Sequence, residues 1–561
     1  MTDQLLSIIQ PKPGTYNIDN YQQVVKDFSW EQAAPELSFH QSGKLNAAYE
    51  TIDRHVADGY GDKVALYYVN EEDDEKRSYT FREVKQKTDH YARILKEHGV
   101  QKGDRVFVFL PKNPECYIAI LAVIKVGAIA GPLFEAFMED AVRDRINDCG
   151  GTVLITDREL GQRVPRADIP SLKTILYAED IEAAPYQEAG ELTEWVDPED
   201  GLIIHYTSGS TGKPKGVLHA HRAVTHHLQS GKWVLDVRDD DVYWCTSHPG
   251  WVTGSVYGLF APWLNRATIV IQGGRFKAEN WFQLIEDLKI TTWYSAPTAF
   301  RMLMSQGDLY KKYNLTSLRH VLSVGEPLNP EVVHWAWKNL NLRIHDTWWM
   351  TETGGHLIVN LPSEPIKPGS MGRPFPGIEV GILDDEGNQL PAGEVGQLAI
   401  RAPWPGLMKE IWGNKGKFAS YFQYDGWYIS GDLALKDEEG YVFFQGRSDD
   451  MINSSGERIG PFEVESKLIE HPAVAEAGVI GKPDPVRGEL VKAFIKLRIG
   501  FTESEELLEE IRLFVRKHLS AHAAPREIEV MDELPKTKIS GKILRRELKQ
   551  KEIDKSKQLH V

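Results

Sequence analysis

From Val64 to Thr347 the hydrophobic positions alternate between two textures. Short apolar or β-branched runs, closed by Gly, Pro, Asn or Asp, predict strands at Ala65–Val69, Arg105–Pro111, Ala128–Leu133, Thr152–Thr156 and Thr174–Tyr177. The same texture returns at Gly201–Ile204, Thr268–Gln272, Thr291–Ser295, His320–Val324 and Arg343–Thr347. Between them, apolar residues three and four apart predict helices over Thr80–Gly99, Tyr117–Val126, Phe137–Cys149, Trp281–Leu288, Ala299–Gln306 and Glu331–Leu340. Thr80 is the cap that starts the first of these. Strand and helix in alternation imply a parallel α/β sheet with helices on both faces.

The pattern changes twice more. After about Glu364 it becomes Gly, Pro and short strands, a β-rich module over 364–448. From Asp449 it becomes a small α+β unit, 449–561, that ends in a basic tail from Lys536 to Lys557. The first sixty residues are aromatic and polar, with Gly43–Asp53 the most helical part, and read as an extension packed on the large domain, 1–448. No internal repeat is present, which excludes solenoid folds.

Composition narrows this only at the margins. A chain of 561 residues is too long for one core. No apolar run reaches a membrane span and the first residues do not have a signal peptide's order, so no membrane partner is expected. Cys116, Cys149 and Cys245 are scattered, which argues against a disulfide framework or zinc site and fits the cytoplasm. The net charge of −16 disfavours nucleic acid as a partner, so any phosphate ligand must be held by local positive groups.

Such groups stand at Tyr206–Gly216, where glycines, hydroxyls and two lysines follow an apolar strand. Glycine lets backbone N–H groups approach phosphate oxygens closely. A P-loop would need a hydroxyl and a helix after its lysine, and Lys213 is followed by Pro214 instead. A mobile linker is the bland alternative, yet a linker would not normally place two lysines about a proline straight after a strand. His219, His221, His226 and His227 follow; without acidic or thiol partners they fit a core or solvated helix face better than a metal site.

Four further stretches join the loop. Ser323–Leu328 and Asp346–Gly355 begin where predicted strands end, the edge at which open α/β sheets bind ligands. Tyr428–Asp432 leads through Gly446–Asp450 to Ser455–Arg458, and Leu534–Lys542 closes the set. Together these resemble the AMP-forming acyl-CoA synthetases of the adenylate-forming superfamily, from about Asn46 to Lys549.

The resemblance implies ATP, a carboxylate and CoA as substrates and Mg²⁺ as cofactor. It implies that Thr207, Ser208, Gly209, Thr211, Gly212 and Lys215 hold the β- and γ-phosphates, Thr207 counting with the catalytic groups. Glu352 would bind Mg²⁺. Gly325, Glu326 and Pro327, with Asp346, Thr347, Trp348, Trp349, Met350 and Thr351, would line adenine and α-phosphate. Asp432 would accept the ribose hydroxyls, Arg447 would reach ribose or phosphate, and Arg458 would contact phosphate during adenylation. Lys542 matches the lysine that neutralises charge between carboxylate and α-phosphate. The tail carries Lys538–Ile539 where the family pattern has a single arginine.

Asp449 matches the hinge about which the small domain swings between half-reactions. Thr253, Ser455, Gly456 and Arg516 match CoA-contacting positions, and His471 a site near a second, structural Mg²⁺. The acyl-pocket positions are Val252, Thr253, Val324 and Trp349; an indole at 349 implies acetate, with propionate or another short chain as the alternative. Family members are often silenced by acetylation at the position of Lys542, which implies a lysine acetyltransferase and deacetylase as partners. A nucleotide-binding sensor that has lost catalysis is the competing class, and retention of Lys542, Glu352, Asp432 and Arg447 together argues against it.

Overall fold

The computed structural model describes residues 7–38, 42–70, 72, 74–187, 190–208, 214–448, 450–454, 457–484, 488–536 and 543–558. Two large sheets dominate it. The first, of nine strands, runs in the order Arg373–Pro374, Ile358–Val359, Ile344–Trp348, His320–Ser323, Thr292–Ser295, Val242–Cys245, Thr268–Gln272, Val64–Asn70, Glu75–Thr80. Its centre is parallel and its ends antiparallel. The second has seven strands, with Arg105–Phe109 flanked by parallel Ile129–Pro132 and Val153–Thr156.

The expected α/β class holds, with local differences that have physical causes. Phe81–Glu97 is capped by Thr80, as the sequence predicts, in a full capping box with Glu83. The next helix starts earlier than its apolar face, at Pro114, because the Asn113 side chain accepts the Cys116 N–H and Pro114 sits in the first turn. Strands Glu75–Thr80 and Val242–Cys245 were not expected; the first is polar, on an edge, with no apolar face to betray it.

All twelve residues of Pro114–Lys125 are buried. They share one apolar cluster with Val106 and Val108 of the second sheet and Tyr243, Ile269 and Tyr294 of the first, so the sheets are joined through a common core. Burying each large aliphatic side chain there contributes about 1.5–3 kcal/mol. Lys125 is tolerated because its ammonium meets Asp53 at 2.7 Å and pairs with Asp89.

The extension is packed as expected: Tyr21 donates to the Pro374 carbonyl at 2.8 Å, and Trp30 stacks on Phe375. The β-rich region forms a four-stranded antiparallel sheet of Val380–Leu383, Gly396–Arg401, Trp427–Lys436 and Val442–Arg447. A separate C-terminal sheet pairs Val474–Asp484 with Gly488–Leu497. Part of the basic tail is a helix, Arg545–Gln558, whose lysines are paired: Lys549 with Glu489 at 2.7 Å and Lys551 with Glu529 at 3.0 Å. Asn329–Ser466 (3.0 Å) and Arg498–Glu331 (3.1 Å) tie the C-terminal region to the large one. Among the described residues no helix is long and apolar enough to cross a membrane.

Candidate active site

The glycine-rich stretch is flanked by two strands, Gly201–Ser208 and Pro214–Ala220, that pair antiparallel. Residues 209–213 lie outside the described residues, and with them Gly209, Thr211 and Gly212; of Ser208 only the backbone is described. Thr207 stands directly opposite Lys215, which puts both side chains on one face. The Thr207 hydroxyl is buried and, among the described residues, has no hydrogen-bond partner. Lys215 reaches Glu352 at 2.6 Å and also bonds the Tyr421 hydroxyl, which donates to the same Glu352 oxygen at 3.1 Å. Burial alone would push the Glu352 carboxyl up; Lys215 and Tyr421 outweigh it and hold it below its ordinary value. Glu352 is therefore an ionised, nearly dry carboxylate.

Glu352 lies on the turn that follows strand Ile344–Trp348, closed by Thr353 N–H to Met350 O at 3.1 Å. The strand's last residue works elsewhere: the Trp348 indole N–H donates to Asp432 Oδ2 at 2.8 Å. Asp432 and Arg447 are register partners on neighbouring strands, and Arg447 Nη1 meets Asp432 Oδ1 at 3.0 Å. Each Asp432 oxygen keeps lone pairs for a further donor, such as a sugar hydroxyl. Asp346 is buried in the sheet; burial pushes its carboxyl well above the usual range, and Oδ1 has no partner. Glu326 accepts from Thr298 at 2.7 Å and pairs with Arg301 at 2.8 Å, while Gly325, at φ +89°, turns the chain between Val324 and Pro327. The Thr351 carbonyl accepts from His219.

Trp349, one residue past Trp348, is buried in a network of its own. Its indole N–H donates to the Tyr294 hydroxyl at 3.3 Å, and its ring meets the edge of Tyr257 with centroids 5.0 Å apart. Tyr294 also bonds Thr347 Oγ1 at 2.6 Å and His356 Nε2 at 2.9 Å, and the Thr347 hydroxyl donates to the Ser323 carbonyl. Val324 belongs to the same apolar cluster, with Val252 packed against it; Thr253 is half-buried on the same helix, Val252–Ser255. Of the pocket positions, Val252, Val324 and Trp349 are thus brought into one cluster.

The second-domain residues are less completely placed. Asp449, Ser455, Gly456 and Lys542 lie outside the described residues, and of Arg458 only the backbone, in strand Glu457–Ile459, is described. Arg516 is exposed in the last turn of Glu505–His518. His471 faces one carboxylate, Glu510, at 3.6 Å, and burial lowers its pKa against that pull. Among the described residues no group of three His, Cys, Asp or Glu is placed to hold a metal. His219, His221, His226 and His227 are core rather than solvated, and all are buried. Tyr421, Tyr294 and Tyr257 were not foreseen: each is an aromatic in an ordinary core pattern, and nothing in spacing marks its hydroxyl.

The AMP-binding enzyme family matches residues 53–412, and the AMP-binding enzyme C-terminal domain matches 463–542. The chain is similar to an acetyl-coenzyme A synthetase of Bacillus subtilis (strain 168), at 58% identity over 96% of this chain and 96% of the relative. An acetyl-coenzyme A synthetase of Rubrobacter xylanophilus shares 42% identity over 92% of this chain and 86% of its own. Among solved structures, an anthranilate CoA ligase in complex with anthranoyl-AMP aligns with a TM-score of 0.83 at 31% identity, covering 91% of this chain and 97% of that one.

Proposed function

The chain belongs to the AMP-binding enzyme family, and on that premise we propose that it ligates acetate to CoA with ATP, through acetyl-AMP, giving acetyl-CoA, AMP and pyrophosphate. The observation that carries this is the single stretch Asp346–Gly355. It sends Trp348 to Asp432, Trp349 to the Tyr294 network and Glu352 to Lys215, so sites for sugar, acyl group and phosphates adjoin.

In the first step an acetate oxygen bonds to the α-phosphorus while the bond to the β-phosphate oxygen breaks, and pyrophosphate leaves with the electron pair. Thr207, Ser208, Gly209, Thr211, Gly212 and Lys215 grip the departing phosphates. The residues present fit a magnesium ion, since Glu352 is ionised and, among the described residues, the Thr207 hydroxyl is unpaired. Held by Glu352 and phosphate oxygens, Mg²⁺ would neutralise charge on the leaving group. Asp432, with Arg447 behind it, receives the ribose hydroxyls. Gly325, Glu326, Pro327 and the 346–351 segment flank the base and α-phosphate, and Arg458 and Lys542 arrive from the second domain to balance the developing charge.

In the second step the CoA sulfur bonds to the acetyl carbon, the bond from that carbon to phosphate oxygen breaks, and AMP departs as the thiol loses its proton. This arrangement would follow rotation of 449–561 against 1–448 about Asp449, bringing Ser455, Gly456 and Arg516 to CoA beside Thr253. A structural Mg²⁺ near His471, a cytoplasmic setting, and acetylation of Lys542 by a lysine acetyltransferase with reversal by a deacetylase complete the reading. Acetylation would remove the charge that the first step needs.

A panel of carboxylates with CoA as acceptor is the test. Acetate is expected to give the highest kcat/KM, with acetate-dependent ATP–pyrophosphate exchange. Exchange that needs a longer acid would overturn the substrate assignment.

A further inference from the structure

Five of the six backbone carbonyls from Thr351 to His356 are capped by a donor from outside the loop. Thr351 O accepts from His219 Nε2 at 2.8 Å, Glu352 O from Met408 N–H at 2.9 Å, and Thr353 O from Trp404 Nε1 at 2.9 Å. Gly354 O accepts from His227 Nε2 at 2.8 Å and His356 O from His226 Nε2 at 2.8 Å. Gly355 O has only the weaker contact, 3.5 Å from Thr353 Oγ1. A loop anchored by so many donors from outside itself has little freedom to move its side chains.

The histidines have one tautomer open to them. A carbonyl only accepts, so Nε2 of each ring carries the proton. Among the described residues the Nδ1 atoms of His226 and His227 are buried without a partner, so a second proton there would have nowhere to go, while the Gly406 carbonyl lies beside the His219 ring. The glycines nearby are shaped to these rings. A Cβ on Gly354, which sits at φ +69°, would lie 2.9 Å from His219 Cε1, and one on Gly406 would lie 2.4 Å from His226 Nδ1. His219 stands on the strand that bears Lys215, Pro214–Ala220, and His226 and His227 stand on the helix that follows it, Ala223–Trp233.

We propose that His219, His226 and His227 are positioning residues that lock the Glu352 loop to the Lys215 strand and the helix after it as one rigid body, so that the carboxylate is already aimed before ATP arrives. This rests on the assignment of Glu352 to the metal site. The three rings touch no substrate; they act through the backbone of the 351–356 loop. Preorganisation of this kind is lost steeply, since a misplacement of about 1 Å at a reacting group costs about 100-fold in rate.

The test compares variants that keep or remove the Nε2 donor. Glutamine places an amide N–H near the imidazole Nε2, whereas methionine keeps volume and loses the donor. In ligand-free protein, H219M and H227M are expected to speed amide hydrogen exchange in the 351–356 segment by about tenfold or more. They should lower kcat for acetate-dependent pyrophosphate exchange about 10- to 100-fold, with KM for acetate within about twofold. H219Q and H227Q should restore both readouts. Segment exchange at the wild-type rate in the methionine variants, or equal behaviour of Gln and Met, overturns the proposal. If the methionine variants fail to fold, W404F probes the same row of carbonyls, and unchanged segment exchange there also overturns it. E352Q separates the underlying assignment: wild-type pyrophosphate exchange in E352Q would sink the metal-site reading, while hydrogen exchange still decides the lock.

Discussion

The phosphate side and the acyl side of this site are built on opposite principles. Around Lys215 and Glu352 there is charge in a nearly dry place, with the Thr207 hydroxyl left unpaired among the described residues. Around Trp349 the polar atoms close on one another: indole to Tyr294, Tyr294 to Thr347 and His356, Thr347 to Ser323. The first arrangement concentrates charge and so suits chemistry. The second is a web of neutral groups around an indole and so suits discrimination. Rate and selectivity should then be separable by mutation.

The largest effect is expected on the charged side. E352Q should cut pyrophosphate exchange about 1000-fold and leave the acetate-to-butyrate preference of the residual activity unchanged, as measured by initial rates across the acids. A shifted preference would break the separation. K215M removes one partner of a buried pair, so it should cost about 3–5 kcal/mol of stability in denaturant melts unless the carboxylate takes up a proton. On the acyl side, W349G should move preference to four carbons or more; unchanged acetate selectivity would mean that the indole does not wall the pocket. Y294F keeps the ring but frees the indole, and should relax acetate over propionate about 5- to 10-fold in kcat/KM, within the ~1–3 kcal/mol that one methylene is worth.

The most global prediction concerns acid. Burial lowers His219 and His226 to about 4 and His205, His221 and His227 to about 3, against 6.5 for exposed imidazole. Below pH 6.5 the unfolded chain takes up protons that the folded one refuses, so stability falls as pH drops from 6.5 towards 4. Each such histidine should contribute roughly 1.4 kcal/mol per pH unit in that window. Glu352, held below 4.5, loses its contribution only as pH falls through that lower range. Melting curves between pH 7 and 5 should therefore drop before the carboxylates titrate, and H219Q should flatten the slope.

What could be read from sequence follows from where the physics is local. The Thr80 cap and the alternation of strand and helix depend on neighbours in the chain, and the structure repeats them. Trp348 and Trp349 were legible only as a pair inside a motif; their partners, Asp432 and Tyr294, lie 84 and 55 residues away. Tyr421 is 206 residues from Lys215 and carries no local sign of its task. The four histidines carry no local sign of their task because their partners are backbone groups, carbonyls for His219, His226 and His227 and the Ala47 N–H for His221, which nearly every residue has.

One consequence of the strand end at Trp348 remains. Side chains alternate across a strand, so adjacent positions are dispatched to different neighbours. Trp348 turns to Asp432 and Trp349 to Tyr294, which the proposed function assigns to the sugar and to the carbon chain, with a single peptide unit between them. A lineage could exchange the residue at 349 and acquire a new fuel without renegotiating its hold on the nucleotide. That makes this strand end an evolvable joint, where diet changes by one codon while the energy currency stays the same.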